Sequence, residues 1–249
     1  MTMKYILLLS IVLASSLLPA EDPDMLLREA RRQTAARKFD EAHELLSRVI
    51  KATPEAAVPY YLRGRVNFQR NKMPESVEDF DAYVKRQPAV ESRQWERGIA
   101  LYYAGDFKQG AAQFELYQTF HDNDVENSVW RFLCMVPTVG VEKSRAVMLP
   151  IKDDRRIPMM KVYDMFRGKA TPTQVLANVT ADDPPPEVLS GRLFYAHLYL
   201  GLYLEAVGQK REARKYIALA ADKELVNHPG INGYMWDVAR IHHERKGKK

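Results

Sequence analysis

The chain has 249 residues, 46% hydrophobic and 28% charged, with a formal net charge of +5. That is ordinary globular composition, rich enough in apolar residues for a sizeable core, and it excludes a charge-dominated disordered chain. Much of the positive excess gathers in residues 240–249, a solvated tail or a contact for an anionic surface. No basic stripe interleaved with aromatics runs through the body, which argues against nucleic acid as a partner.

Residues 1–20 have the layout of a secretory signal peptide. Lys4 supplies a positive start, residues 5–18 are apolar apart from Ser10, Ser15 and Ser16, and Leu18-Pro19-Ala20 precedes Glu21-Asp22. The apolar run of about fourteen residues falls short of the roughly 20 that cross a bilayer. No cysteine follows the cleavage point to carry a lipid. The expected product is an exported, soluble periplasmic protein of residues 21–249, cleaved after Ala20, with no stable membrane span. An uncleaved N-terminal anchor is the alternative.

Strand signals are weak. Alternating Val/Ile/Thr runs are missing, and Ala, Leu, Glu, Arg and Lys at helical spacing carry the chain. Asp22-Pro23 sets a capping side chain before a first-turn proline and opens a helix. A second helix starts at Phe39 and runs through Ala42, Leu46 and Val49 to Pro54. Pro88 follows Pro54 by 34 residues, and the unit between them carries Tyr60, Gly64, Met73, Phe80 and Tyr83. Another 34 residues on, the stretch 95–117 repeats the layout with Gly98, Gly105, Phe107, Gly110, Phe114 and Tyr117.

Three consecutive units of this length resemble the tetratricopeptide-repeat (TPR) family. The first matches its pattern at Ala30, Phe39, Ala42, Leu46, Val49 and Pro54, the second at Tyr60, Gly64, Phe80 and Pro88, and the third at Gly98, Gly105, Phe107 and Phe114. The resemblance implies an all-α fold, a right-handed superhelical solenoid of helix-turn-helix hairpins. Small residues let paired helices approach, large ones fill the space between hairpins, and no hairpin buries its apolar face alone. The expected repeats are 23–56, 57–90 and 91–124.

Residues 125–193 depart from the pattern and are expected to hold two distorted hairpins. Asp124 caps a helix over 125–135, broken by Pro137 and Gly140. Further helices are expected over 141–149 and 158–166. Thr171-Pro172-Thr173-Gln174 reads as a capping box with a first-turn proline, and 182–186 as a turn and spacer. A clear repeat returns over 194–227, with Gly201, Gly208, Ala213, Ile217 and Ala220. Residues 231–245 form a terminal helix with Met235, Trp236, Val238, Ala239 and Ile241 on one side, expected to cap the array with its polar face outward. The whole of 21–249 is thus expected to be one solenoid domain.

No catalytic constellation stands out. His242-His243 are adjacent and would point to different sides of a helix. Asp153-Asp154-Arg155-Arg156 reads as a solvated turn. A Gly-rich phosphate loop, a nucleophile elbow and a Cys/His metal cluster are all missing, so no metal or cofactor is expected and the chain does not read as an enzyme. The single cysteine, Cys134, lies in an apolar stretch and reads as a small buried hydrophobe.

In a TPR the first helix of each hairpin faces the concave groove. Carried onto this sequence, that places Arg31, Tyr61, Arg65, Phe68, Trp95, Ile99, Tyr102 and Tyr195 at a partner-binding surface, with Leu27, Tyr103, Leu198 and Glu205 at neighbouring groove positions. Aromatics with arginine are the types that anchor interfaces. The Lys/Asn/Arg clamp that grips chaperone tails is absent from these positions. Export together with a compact array of this length, the helix containing Trp130-Arg131-Phe132-Leu133 and a late repeat near Phe194 resemble the NlpI-type periplasmic TPR adaptors. That likeness implies a scaffold that brings an envelope hydrolase or protease to its substrate, often as a homodimer. The expected function is a non-catalytic adaptor holding a peptide or helix of a protein partner in the groove. The alternatives are an envelope enzyme with a site in the distorted hairpins, near His121 or residues 153–156, or a homo-oligomeric structural element.

Overall fold

The computed structural model describes residues 22–247, so the predicted signal peptide, residues 1–20, lies outside it. Every regular element among the described residues is helical. The chain opens with three hairpins: α1 (Pro23–Ala35) with α2 (Phe39–Ala52), α3 (Ala57–Gln69) with α4 (Met73–Arg86), and α5 (Trp95–Ala104) with α6 (Phe107–Tyr117). A short 3-10 turn, Pro88–Arg93, leads into α5. Asp22 caps α1 as expected, its side chain accepting from Asp24 N at 2.9 Å.

The hairpins are alike because the same positions meet the same neighbours. Arg37, Asn71, Gly105 and Gly208 each sit with positive φ at the turn between paired helices, and the first three are 34 residues apart. At the helix crossing, a Cβ placed on Gly98 would stand 2.6 Å from the Phe114 ring, and one on Gly201 would stand 2.5 Å from Ile217. Any side chain there would push the paired helices apart. Ser76 fills the corresponding small position of α4 and donates to the Gly64 carbonyl at 2.7 Å.

Beyond the third hairpin come α7 (Val125–Val139), α8 (Val141–Ala146), α9 (Met159–Phe166) and α10 (Pro172–Val179). Pro137 does not end α7, which continues to Val139 and stops at Gly140. A proline in the last turn removes a single hydrogen bond near a helix end, a smaller loss than in mid-helix. The expected helix over 141–149 is only α8, after which the chain runs extended. The capping box at Thr171 and Gln174 forms, with both reciprocal contacts present. Cys134 is fully buried, and burial pushes its thiol well above the usual range, so it packs and does not react.

The late repeat is α11 (Pro186–Ala206) with α12 (Lys210–Ala220). Pro186, expected in a spacer, is the first residue of α11, as suits a residue with fixed φ and no N–H. The helix is therefore longer at its start than the repeat pattern implied. The last element, α13 (Gly233–Gly247), is not a cap with a polar outer face. Tyr234, Met235, Trp236, Asp237, Val238, Ala239, Ile241 and His242 are all buried, so nearly the whole girdle of its first turns is enclosed. The helix packs on α12 and reaches the first helices of the hairpins through Phe68, Trp95 and Tyr103.

Candidate partner-binding groove

The first helix of each hairpin presents a row of side chains to the inner surface, and that surface receives α13. Phe68 on α3 stacks on Tyr234 with ring centroids 4.7 Å apart. Trp95 on α5 meets the same ring edge-on at 5.4 Å, and the Arg65 guanidinium lies 5.4 Å over it. One tyrosine of α13 thus gathers three of the predicted groove residues, from two successive repeats.

Charged and polar contacts extend the seam. Asp237, fully buried in α13, accepts from Arg37 Nη2 at 2.5 Å and from Gln69 Nε2 at 2.9 Å. Arg240 donates to Asp237 Oδ1 at 3.0 Å and to the Gln69 carbonyl at 2.7 Å. His242 lies between Tyr103 Oη, 3.0 Å from its Nδ1, and Glu205 Oε2, 2.9 Å from its Nε2. Arg245 donates to the Tyr103 carbonyl at 3.1 Å and to Asn71 Oδ1 at 3.2 Å. A buried carboxylate needs such partners, because removing it from water without them costs more than packing returns. Asp237 therefore fixes where along the groove α13 sits.

The predicted residues divide into three sets. Phe68 and Ile99 are fully enclosed and offer no surface to a partner protein, a correction to their placement in the groove lining. Phe68 is enclosed because Tyr234 of α13 stacks on it, while Ile99 lies one helical turn from the half-buried Trp95, so a small error in helix rotation exchanges groove for core there. Tyr61, Arg65, Trp95, Tyr102 and Tyr195 are half-buried and already engaged. Arg65 pairs with the buried Glu96 at 3.2 Å, and Tyr61 packs on Tyr83 at 5.1 Å. Tyr102 meets Trp130 edge-on at 5.4 Å, and Tyr195 Oη accepts from Asn232 N at 3.2 Å. Arg31 alone of the eight is exposed.

Arg31 borders the part of the groove nearest the start of the chain, a cavity of ≈ 220 Å³ between α1 and α3 lined by Ala30, Thr34, Leu46, Leu62, Arg65 and Gln69 among others. Deeper in, Arg65 faces the buried Glu96. Burial pushes the Glu96 carboxyl above the usual carboxylate range, with Arg65 and Tyr61 opposing the shift. Sequence reasoning missed Gln69, Asp237 and His242 as groove residues. The available signal was Asp237 itself, a charge inside an apolar stretch with no polar face, which demands buried partners elsewhere.

Among the described residues no helix is long and apolar enough to cross a membrane, and no group of three or more His, Cys, Asp or Glu could hold a metal ion. Three solved structures resemble the chain at low identity. MamA protein is 12% identical with a TM-score of 0.47, over 84% of this chain and 96% of that one. YrrB, described as a TPR protein with an unusual peptide-binding site, is 14% identical with a TM-score of 0.46, over 90% and 92%. TTC0263, a thermophilic TPR protein in Thermus thermophilus, is 15% identical with a TM-score of 0.45, over 92% and 100%. At these TM-scores none of the three bears on how this chain binds. Residues 27–91 match the family model described as Tetratricopeptide repeat, and small-residue crossings like those found there recur through α5–α6 and α11–α12.

Proposed function

We propose that this protein is a non-catalytic scaffold of the bacterial cell envelope that holds a peptide or helix of a partner protein on its concave face. The observation that carries this reading is α13. The groove already holds a helix, through ring stacking on Tyr234 and buried pairing at Asp237, so its surface is suited to helical segments. With α13 in place, the stretch left to a partner is the cavity between α1 and α3. Arg31 and Arg65 line it, which favours a partner segment carrying carboxylates. An envelope hydrolase or protease is the partner class implied by the likeness to NlpI-type adaptors. Export with cleavage after Ala20 is part of the same proposal, and the mass of the mature N-terminus measures it.

A photo-crosslinking residue at position 31 should capture the partner from native envelopes, while one at Lys215 on exposed α12 should not. Arg31→Glu should then abolish capture by a second probe at position 34 while leaving helical content unchanged. Equal capture from positions 31 and 215, or capture indifferent to Arg31→Glu, would sink the groove reading. Light scattering on residues 21–249 tests the homodimer implied by the same likeness.

A further inference from the structure

The turns that join paired helices lie along one edge of the array, and α13 points its last turns at that edge. Arg245 donates to Asn71 Oδ1, in the second turn, and to the carbonyl of Tyr103, two residues before the third turn at Gly105. His242 pairs with Glu205, three residues before the turn at Gly208. Because Asp237 and Tyr234 fix the helix along the groove, its end is held at this edge.

The edge is basic. An exposed lysine follows each turn within three residues: Lys38 after Arg37, Lys72 after Asn71, Lys108 after Gly105 and Lys210 after Gly208. Most of the carboxylates nearby are engaged. Asp40 pairs with Arg70 at 2.7 Å, Glu212 with Lys215 at 2.8 Å and Glu244 with Arg240 at 3.0 Å, while Asp106 caps α6; Glu41 and Glu75 stay exposed. Residues 240–249 add five lysines and arginines against one glutamate, four of the chain's formal +5, and four of those five cations fall within 245–249. A run of like charge is a feature of interaction tails, and here the fold sets it beside the lysines of the turns.

The kind of partner follows from what the edge carries and what it does not. Within the four hairpins the exposed large hydrophobics, among them Met25, Val58, Leu116 and Leu219, sit at the opposite edge, where first helices start and second helices end. A protein interface is anchored by buried aromatic or apolar side chains. A layer of lipid headgroups asks only for positive charge on flexible stems spread over a surface, which lysine supplies. We propose that the turn edge, together with the basic run 245–249, docks this protein on an anionic phospholipid surface. Each lysine adds an attraction that decays within a Debye length, so the contact needs no fixed geometry and no inserted helix. None of these residues lines the cavity between α1 and α3, so lipid docking and partner capture can be lost separately.

Sedimentation of residues 21–249 with lipid vesicles tests it. The chain should pellet with phosphatidylcholine vesicles containing about 30% phosphatidylglycerol in about 50 mM salt, stay in solution with phosphatidylcholine alone, and leave the anionic vesicles at about 0.5 M salt. Lys72→Gln with Lys108→Gln should lower partitioning about thirtyfold, at roughly fivefold per lysine. Lys51→Gln with Lys85→Gln makes the same change of charge at the opposite edge, near the ends of α2 and α4, and should leave partitioning within about twofold of the unaltered chain. All four lysines are exposed, so circular dichroism should show the same helix content throughout. Equal weakening by the two pairs, or failure of the unaltered chain to pellet with the anionic vesicles, would overturn the proposal. In the second case, capture by immobilised poly-glutamate would assign the edge to an acidic protein instead.

Discussion

The three opening hairpins and the segment from α7 to α10 meet the same requirement by different means. Each must bring helices close and satisfy the backbone at their ends. The hairpins do so with small residues at fixed spacing, Gly64 against Phe80 and Gly98 against Phe114, so neighbouring helices supply one another's partners. The middle segment lacks those positions and uses long side chains to hold its extended backbone. Arg131 donates to the Val147 carbonyl at 2.7 Å, and Arg145 to the Phe166 carbonyl at 3.1 Å. Asn123 Oδ1 accepts from the backbone of Lys152 and Asp153, and Tyr163 Oη donates to the Leu149 carbonyl at 2.9 Å. A repeat is a local solution that can be copied, whereas a tethered loop is a single solution built from distant residues. The difference places the ionic cluster that Arg156 forms with Asp124, Glu126 and Asp154 beside the irregular segment, where polar side chains are needed for structure and remain within reach of solvent.

Breaking the tethers and breaking the crossings should therefore fail differently. The largest effect is expected from Arg156→Ala, which strands the buried Asp154 and the neighbouring Glu126 and should cost about 3 kcal/mol, read as a fall in the denaturation midpoint. An Arg156→Lys variant should recover only part of that loss, since a point charge cannot serve three carboxylates in one plane. Next comes Gly98→Ala, whose added methyl group meets the Phe114 ring and should cost about 2 kcal/mol, a drop of several degrees in Tm. Unlike the arginine variant, this one should be insensitive to pH, and a pH-dependent loss would contradict a purely steric cause.

Smaller effects sharpen the contrast. Burial raises the Glu96 and Glu126 carboxyls above their ordinary range, so the folded chain holds their protons longer than the unfolded chain does. Stability from these two groups is therefore full below the ordinary carboxylate value and falls as pH rises through the raised one. Glu96→Gln should flatten that fall in denaturation curves taken between about pH 4 and pH 7. Thr171→Ala removes the α10 capping box and should cost about 1 kcal/mol. At the small end, Asn71→Gly relieves a side chain held at φ 60°, where glycine is at ease, and should change stability by only about 0.5 kcal/mol, the gain being offset by loss of the Arg245 contact.

How far the chain could be read from its residues follows the same division. The Gly64, Gly98 and Gly201 crossings, the Asp22 and Asp124 caps and the Thr171 box were legible, because each involves residues close in sequence whose spacing is set by helix geometry. Arg65 and Trp95 were legible as inward-facing, but not as already engaged. Their partners, Glu96 and Tyr234, lie on different elements, and Tyr234 is more than a hundred residues away. Asp153–Arg156 looked like a solvated turn because charge in sequence carries no record of burial, yet Asp154 is buried and Arg156 is the hub of the cluster.

The amino-acid order by itself determined the helical class, the 34-residue period and the hairpin turns, since propensity, capping and the need for small residues at a crossing all act over one or two helices. The tertiary structure alone decided that α13 lies inside the array with Asp237 tied to Arg37, and that Arg156 gathers Asp124, Glu126 and Asp154 into one cluster. Those outcomes depend on which distant surfaces come together once the superhelix closes, and on the cost of burying a charge without a partner. That cost is settled only in three dimensions.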